Sequence, residues 1–336
     1  MRALYLKEKL VFEERDIPVP IPKDNEVLIK VNSVGICGSD IHYWAHGKLG
    51  QFLVEKPLIL GHEFSGEIVK CGTDVKGLIP GDLVTVEPMD VCGKCEACRK
   101  GRYNLCPDLK FFATPPYDGA LREYIAFDSS FVFKVPKGID QEMATLAEPL
   151  AVGVFSSKAV NVGLGDKVIV YGSGVVGLCC MISAFSSGAS EVVVTDIKEE
   201  RLMLAKEIGA SYTYNSLKEN PEKFNSYFDI AFECSGATFG IIDASKKLKS
   251  GGTIAALGFN VNRTQEVPLA EMIFLEQKII PTLRYANVYP ATLDLLLKNK
   301  DIFEKFITHR FSFNDAQKAF IAARDDNKAV KVLINF

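Results

Sequence analysis

The sequence lacks a marked excess of charge of either sign, an unbroken apolar run of membrane length and an internal repeat. Its 39 Lys and Arg against 42 Asp and Glu give a net charge of −3, too small to indicate nucleic acid or an anionic membrane as a partner. With 48% apolar and 24% charged residues, the composition excludes disordered, collagenous and coiled-coil proteins. A length of 336 residues favours two globular domains.

The N-terminal segment also lacks a secretory signal. Four charged residues stand within its first nine positions and leave no room for an apolar signal core: Arg2, Lys7, Glu8 and Lys9. We therefore expect a cytoplasmic protein. The uncharged stretch 168–190 is interrupted by two groups of Gly and Ser, so it predicts a buried strand, a turn and a buried helix, and no membrane span.

The two halves of the chain differ in composition. Eleven of the 15 prolines occur by Pro149, and six of the nine cysteines occur by Cys106. Short β-rich runs separated by Pro and Gly predict an irregular β domain in the first half. From Lys167 onward, Val- and Ile-rich runs alternate with helical periodicity, which predicts βαβ units and one open, mostly parallel sheet. The residues after Pro290 predict two helices and a strand that close either domain.

A glycine-rich fingerprint follows the first apolar strand of the second half and opens a helix: Gly172, Gly174, Val175, Val176 and Gly177. In a dinucleotide-binding turn the first glycine permits the sharp bend, the second admits the pyrophosphate, and the third lets the helix pack on the strand. The helix N-terminus then faces the phosphates. The position of the motif between strand and helix therefore predicts a dinucleotide site.

Asp196 ends the next strand, nineteen residues after Gly177, where a carboxylate accepts hydrogen bonds from the adenosine ribose. Because this carboxylate would repel a 2′-phosphate, NAD is favoured over NADP. Lys198 and Arg201 lie nearby and weaken that preference, and Arg201 is itself a candidate cofactor-binding residue. An aspartate that caps the following helix is the alternative, and the two roles are compatible.

Nine cysteines are an odd number, and a reducing compartment argues against a disulfide framework. Four of them have the spacing C-x2-C-x2-C-x7-C: Cys92, Cys95, Cys98 and Cys106. Four thiolates at this density predict a tetrahedral structural zinc that folds a loop and takes no part in catalysis. A cluster of free or disulfide-bonded thiols is the alternative.

A second set of potential ligands is scattered along the chain: Cys37, His62, Glu63 and Glu148. Taken singly, the residues have ordinary interpretations, such as a small buried thiol, a core histidine and an exposed helix residue. Together they offer a thiolate, an imidazole and one or two carboxylates. Such a set suffices for a catalytic zinc that keeps a position for water or substrate.

These motifs together resemble the zinc-dependent medium-chain alcohol dehydrogenases over nearly the whole chain. The resemblance rests on the run Cys37–Trp44, the motif Gly61–Glu63, the four-cysteine segment and the glycine fingerprint. Four shorter motifs resemble the sorbitol (L-iditol) and xylitol dehydrogenases within that superfamily: His42–Trp44, Phe111–Pro116, Ala147–Pro149 and Leu283–Asn287. The resemblance implies an α/β fold, with a GroES-like β-rich catalytic domain and a Rossmann domain built on a doubly wound parallel sheet.

The resemblance implies a catalytic domain at residues 1–150, completed by 286–336, with the Rossmann NAD-binding domain at 151–285 between these segments. It implies an active site in the cleft, NAD as cofactor, and two zinc ions per chain, one catalytic and one structural. The expected partners are a small polyol or ketose and further copies of the chain in a homotetramer or homodimer. Nucleic acid and membrane are not expected partners.

The same resemblance implies individual roles. The catalytic zinc would be held by Cys37, His62, Glu63 and Glu148, the last bound directly or through a water. The polyol pocket would comprise Tyr43, Phe111, Thr114, Arg284 and Tyr285. Ser39 and His42 would relay the proton away from the substrate. Taken alone, His42 is equally interpreted as a surface histidine, and Arg284 as an ion-pairing residue.

The expected reaction is the reversible oxidation of carbon 2 of sorbitol, xylitol or L-iditol to the 2-ketose, with hydride transferred to NAD. Zinc would act as a Lewis acid that makes the hydroxyl acidic near neutral pH. Related enzymes that act on L-arabinitol, a sugar phosphate or L-threonine are alternatives. A non-catalytic NAD-binding sensor is the alternative from another class, and the presence of Cys37, His62 and Glu63 disfavours it.

Overall fold

The computed structural model describes residues 1–259 and 265–336. The chain divides into two compact units. The first unit contains Met1–Glu148 and Tyr289–Phe336, and the second contains Pro149–Val288. The N-terminal and C-terminal segments therefore build one unit together, and the segment between them builds the other.

The N-terminal part of the first unit consists mainly of short strands. These are β1 (Arg2–Glu8), β2 (Val11–Asp16), β3 (Glu26–Gly35), β4 (Lys48–Leu49), β5 (Phe52–Leu53), β6 (Leu58–Ile59), β7 (Glu63–Cys71), β8 (Leu83–Val86), β9 (Met89–Asp90), β10 (Lys110–Phe111), β11 (Tyr124–Asp128) and β12 (Val132–Lys134). Its helices are α1 (Gly38–His46), α2 (Glu96–Arg99) and α3 (Gln141–Ala144).

Strands and helices alternate through the second unit. Helix α4 (Ala147–Ala159) begins in the first unit and continues into the second. It is followed by β13 (Lys167–Tyr171), α5 (Val175–Ser186), β14 (Glu191–Asp196), α6 (Glu199–Glu207), β15 (Tyr212–Asn215), β16 (Phe228–Glu233), α7 (Gly240–Lys247), β17 (Leu248–Ala256), α8 (Leu269–Phe274) and β18 (Lys278–Pro281). The chain then returns to the first unit with α9 (Tyr289–Lys298), α10 (Lys300–Phe303), β19 (Ile307–Ser312), α11 (Ala316–Asp325) and β20 (Lys331–Asn335).

The second unit is built on a parallel sheet. Within the described residues it has six strands in the order β15–β14–β13–β16–β17–β18. In order of sequence this is the 3-2-1-4-5-6 arrangement of a doubly wound dinucleotide-binding sheet. β13 and β14 form because Val- and Ile-rich runs suit strands that are buried on both faces. The predicted fold class is confirmed, and the strand order reverses between β13 and β16, where ligands bind in such sheets.

The first unit is built on a mostly antiparallel sheet. In the part of the chain that the structure describes, its order is β12–β8–β7–β3–β20–β19, with β11 also paired to β3. β20 pairs with β3 and aligns Leu333 with Gly35. Large side chains such as Trp44, Phe64 and Phe320 fill the apolar core of this unit. The late strand β20 therefore completes a sheet that the early strands begin.

The uncharged stretch at 168–190 forms strand β13, a glycine turn and helix α5, as predicted. Helix α5 has only 12 residues, fewer than the roughly 20 that span a bilayer. Across residues 1–259 and 265–336, no helix combines the length and the hydropathy that crossing a membrane requires.

Candidate active site

Three potential metal ligands converge in the first unit. Donor atoms of Cys37, His62 and Glu63 all lie within 4.8 Å of one another. Cys37 is half-buried, whereas His62 and Glu63 are buried, with 6% and 1% of their surface exposed. A thiolate, an imidazole and a carboxylate form a set of three protein ligands that leaves a position for water or substrate. This donor set fits a catalytic zinc.

Asp40 connects the two segments that carry these ligands. Cys37 immediately precedes α1, and Oδ2 of Asp40 accepts a hydrogen bond from the Cys37 backbone N–H at 3.0 Å. The other oxygen, Oδ1, accepts from the Gly61 backbone N–H at 3.0 Å. Gly61 has a φ of +88°, and a Cβ there would lie 2.7 Å from Cγ1 of Val34. A glycine is therefore required at the position that presents His62.

The surroundings of His62 favour a positive charge. Its Nδ1 lies 3.7 Å from Oδ1 of Asp40 and has no hydrogen-bond partner among the described residues. Burial lowers the pKa of His62, but the charges of Asp40 and Cys37 outweigh burial and raise the pKa well above 6.5. The ring of Phe111 packs against the imidazole, with 5.2 Å between ring centroids. The negative groups that raise this pKa also favour a metal cation, which binds the imidazole in its neutral form and displaces the proton.

A buried lysine lies beside Glu63. Lys331 in β20 is 0% exposed, and its Nζ donates to the Ile36 carbonyl at 3.1 Å and to Oε2 of Glu63. Burial lowers the pKa of Lys331, but the charges of Glu63 and Cys37 raise it by a larger amount, so the net shift of the pKa is upward. Oε1 of Glu63 is buried and has no hydrogen-bond partner among the described residues. Lys331 thus holds one carboxylate oxygen, and the other remains an acceptor for a cation.

Glu148 lies in the first turn of α4 and is only 5% exposed. This burial excludes its interpretation as an exposed helix residue. Its carboxylate lies outside the group of donor atoms within 4.8 Å of one another, although its charge acts on Lys331 and on Tyr289. Ligation of zinc by Glu148, directly or through a water, stays a prediction.

Ser39 and His42 lie three positions apart on α1, on the same face of the helix that begins after Cys37. Both side chains are half-buried. Burial, and secondarily the charge of His46, lower the pKa of His42 below 6.5. The imidazole is therefore neutral near pH 7 and able to accept a proton. The relay itself stays a prediction.

The segment 92–106, which we call the lobe, brings together four cysteines: Cys92, Cys95, Cys98 and Cys106. Their sulfur atoms lie within 4.8 Å of one another, and tetrahedral zinc with Zn–S bonds of about 2.3 Å separates sulfurs by about 3.8 Å. All nine cysteines are free, so the disulfide alternative does not apply. Hydrogen bonds from the backbone N–H groups of Lys94 and Cys95 lower the pKa of Cys92 to about 7. The donor set fits a structural zinc.

The glycine fingerprint forms a tight turn between β13 and α5. Gly172 has a φ of +92°, and a Cβ at Gly177 would lie 1.8 Å from the Gly172 carbonyl oxygen. Gly174 is the N-cap of α5, whose first turn contains Val175 and Val176. These are the positions at which a sharp bend and close packing of helix on turn exclude side chains. The turn has the geometry that cradles a pyrophosphate.

Asp196 lies at the end of β14, beside this turn. Its Oδ2 accepts from the backbone N–H and hydroxyl of Ser173 at 2.6 and 2.9 Å, and its Oδ1 accepts from the backbone N–H groups of Ile197 and Lys198 at 2.7 and 3.0 Å. Asp196 therefore fixes the glycine turn and the segment before α6, but it does not cap that helix, whose N-cap is Lys198 without a side-chain cap hydrogen bond. Nη1 of Arg201 lies 3.7 Å from the position of a Cβ on Gly174, which places a positive charge at the turn. Contacts of Asp196 and Arg201 with a cofactor stay predictions.

The five residues predicted for the polyol pocket are divided between the units. Tyr43 and Phe111 are buried and Thr114 is half-buried in the first unit, whereas Arg284 is half-buried and Tyr285 is buried in the second. Arg284 has a φ of +54°, which is uncommon for a residue with a side chain and often marks functional backbone. The assignment of all five to substrate stays a prediction.

We call Cys37, His62 and Glu63 the donor cluster. The sequence analysis did not predict two residues that support this cluster, Asp40 and Lys331. Asp40 had a detectable signal, because an acidic side chain three positions after an N-cap returns to the cap N–H. Lys331 had none, since 268 positions separate it from Glu63 and lysine is rarely buried.

The parallel sheet, the glycine turn and the two donor sets together define a zinc-binding dehydrogenase. The family described as alcohol dehydrogenase GroES-like domain matches residues 23–137, and the family described as zinc-binding dehydrogenase matches residues 175–298. Sorbitol dehydrogenase from Bos taurus is 39% identical over 325 residues, which cover 94% of this chain and 91% of that protein. The chain belongs to the zinc-dependent medium-chain alcohol dehydrogenase superfamily, in its sorbitol dehydrogenase branch, and is an oxidoreductase of that family.

Solved structures with other activities share the fold. L-idonate 5-dehydrogenase from Escherichia coli matches with a TM-score of 0.92 at 26% identity, covering 100% of this chain and 98% of that chain. Galactitol-1-phosphate dehydrogenase from the same organism matches with a TM-score of 0.91 at 27% identity, covering 100% of both chains. The fold is therefore common to enzymes with different substrates, and specificity has to be argued from the site.

Proposed function

We propose that this chain is a zinc-dependent, NAD-linked polyol 2-dehydrogenase that interconverts sorbitol, xylitol or L-iditol and the corresponding 2-ketose. The observation that carries the proposal is the convergence of Cys37, His62 and Glu63 within 4.8 Å, in a unit that also buries Glu148. The 39% identity to a sorbitol dehydrogenase over 94% of the chain supports polyols as the substrate class.

Cys37, His62 and Glu63 hold the catalytic zinc, with Glu148 bound to it directly or through a water. When bound, zinc would supply Lewis acidity, which lowers the pKa of a coordinated hydroxyl group toward the neutral range. Asp40 fixes the segments that carry Cys37 and His62, because its carboxylate accepts hydrogen bonds from the backbone of both segments. Lys331 offsets the negative charge of Glu63 in a place that water does not reach.

Ser39 and His42 move the proton. The Ser39 hydroxyl accepts the proton of the substrate hydroxyl and passes its own to the neutral imidazole of His42, which releases it to solvent. The lowered pKa of His42 suits this role, since a base that is already protonated cannot accept. The substrate is thereby left ready to lose hydride from carbon 2.

The second unit binds NAD. Gly172, Gly174 and Gly177 admit the pyrophosphate to the N-terminus of α5, with Arg201 adding a positive charge beside Gly174. Asp196 accepts hydrogen bonds from the adenosine ribose and disfavours a 2′-phosphate.

Arg284 and Tyr285 are the proposed donors to the polyol hydroxyls, Tyr43 and Phe111 are the proposed contacts of its carbon chain, and Thr114 is a further proposed substrate contact. A site built to bind hydroxyl groups rejects substrates that lack them, often by large factors. Assembly as a homotetramer or homodimer remains a prediction, which sedimentation velocity of the purified chain measures.

The second candidate function is the oxidation of a sugar-alcohol phosphate, and the similarity to galactitol-1-phosphate dehydrogenase favours it. L-arabinitol and L-threonine are further candidate substrates. A non-catalytic NAD-binding sensor is the alternative from another class, and its catalytic metal site would be dispensable.

The test is NADH formation at 340 nm with sorbitol, xylitol, L-arabinitol, galactitol-1-phosphate and L-threonine, each with NAD and NADP. We expect activity on polyols with NAD, two zinc ions per chain, loss of activity with a chelator and recovery with zinc. Arg284→Ala should reduce kcat/KM for the polyol far more than it weakens NADH binding, measured by fluorescence. Activity on the phosphate alone would favour the second candidate, and equal losses in both Arg284→Ala measurements would overturn its role.

A further inference from the structure

Two of the chain's four histidines lie on one face of a single helix. His42 and His46 are four positions apart on α1, with 5.8 Å between their ring centroids and 40° between their planes. His42 is half-buried and His46 is exposed. The other two histidines have different surroundings: His62 is buried in the donor cluster, and His309 contacts Oδ2 of Asp326 at 3.2 Å.

Two imidazoles at positions i and i+4 of a helix form a chelating pair. Side chains with this spacing have neighbouring Cβ atoms, and the same spacing presents two zinc-binding histidines to one metal in helical metalloenzyme motifs. Neutral imidazole is the commonest protein ligand for zinc, copper and nickel, and waters complete the coordination sphere. The pair therefore has both the donor type and the spacing for a divalent transition metal.

The end of the helix also favours a cation here. His46 is the last residue of α1, and Gly47, with a φ of +69°, ends the helix by donating its N–H to the Tyr43 carbonyl at 2.8 Å. The C-terminal end of a helix carries partial negative charge, which stabilises a cation in the last turn. Lys9 packs over Gly47 and opposes the cation with its own charge. The low pKa of His42, caused by burial and then by His46, keeps that ring neutral and able to bind metal.

We propose that His42 and His46 form an accessory site for a divalent transition-metal ion, separate from both zinc sites, and that its occupation inhibits the enzyme. The inhibitory part rests on the proposed function, because it needs His42 as the acceptor of the substrate proton. An imidazole whose nitrogen lone pair binds a metal cannot accept a proton through that nitrogen. Metal at this site therefore slows proton release without displacing the catalytic zinc.

The experiment uses the zinc-loaded enzyme and Ni²⁺ as the probe. Equilibrium dialysis should show one Ni²⁺ per chain in the wild type, with the zinc content unchanged. His46→Ala should lose this Ni²⁺, and the control variant His309→Ala should keep it. His46 lies outside the proposed relay, and burial is the larger cause of the lowered pKa of His42, so His46→Ala should retain most of the basal rate of NADH formation.

The second measurement is the initial rate with and without Ni²⁺. Wild type and His309→Ala should be inhibited, His46→Ala should be resistant, and free histidine, which removes Ni²⁺, should restore the rate. Equal Ni²⁺ binding by wild type and His46→Ala would overturn the site. Binding without inhibition would overturn the link to His42. The dialysis needs no turnover, so it decides on the site even if the chain proves inactive on every substrate and the proposed function fails.

Discussion

Replacing Lys331 by methionine tests how the buried carboxylate of Glu63 is stabilised. The two charged groups are 0% and 1% exposed, so water cannot solvate Glu63 once its partner is removed. Removing one member of a buried ion pair costs about 3–5 kcal/mol in free energy of unfolding, because the remaining charge stays buried without compensation. We expect Lys331→Met to lose that amount in the zinc-free protein. The control Lys318→Met removes an exposed lysine and should change stability by about 0.5 kcal/mol or less.

Zinc should reduce this cost, because a cation at the donor cluster compensates Glu63 in place of Lys331. Urea unfolding followed by circular dichroism, with and without zinc, measures both quantities. If zinc reduces the destabilisation caused by Lys331→Met, then by linkage the folded variant binds zinc more tightly than the folded wild type does. Lys331→Met combined with Glu63→Gln should be more stable than Lys331→Met alone. A loss of about 1 kcal/mol or less, or an equal loss with and without zinc, would refute the reasoning.

Two further changes test the groups around the lobe and the nucleotide turn. Glu87 is buried, accepts a hydrogen bond from the Tyr103 hydroxyl at 2.7 Å, and has a pKa that burial raises from 4.5 to about 7. The folded chain therefore keeps a proton that the unfolded chain loses, so stability falls as the pH rises from 4.5 to about 7. Glu87→Gln should remove this pH dependence. Between about pH 4 and about pH 8, its free energy of unfolding should rise relative to that of the wild type by up to about 3 kcal/mol. Urea unfolding measures the difference, and identical pH profiles of variant and wild type would contradict the prediction. Asp196→Ala should lower the ratio of kcat/KM with NAD to kcat/KM with NADP by about 10- to 150-fold. This factor corresponds to a charged hydrogen bond of about 1.5–3 kcal/mol. An unchanged ratio would show that Asp196 does not select the cofactor.

The second unit could be predicted from sequence because its information is local. Gly172, Gly174 and Gly177 lie within the six positions 172–177, and the strand that precedes them is a run of apolar residues buried on both faces. The four cysteines of the lobe could also be predicted from sequence, because their short spacing brings the sulfur atoms together. In both places, the residues that act together are close in sequence.

The donor cluster of the first unit could be predicted from sequence only in part. Cys37, His62 and Glu63 stood in recognisable motifs, but spacing alone left each with an ordinary interpretation. Asp40 and Lys331 act through hydrogen bonds to groups brought near by the fold, and the pairing of β20 with β3 is visible only once the sheet is formed. The burial of Glu87 was hidden for the same reason, because its partner Tyr103 lies in the lobe.

The contact between Lys331 and Glu63 constrains how the protein is made. The two residues are 268 positions apart, and the whole segment Pro149–Val288 lies between them in the chain. A ribosome therefore synthesises the entire second unit before the strand that neutralises Glu63 exists. Until then, the nascent first unit carries the side chains of Cys37, His62 and Glu63 without the buried charge of Lys331. A bound metal ion compensates Glu63 in place of Lys331, so the order of translation favours capture of a metal ion by Cys37, His62 and Glu63 before β20 has joined the sheet.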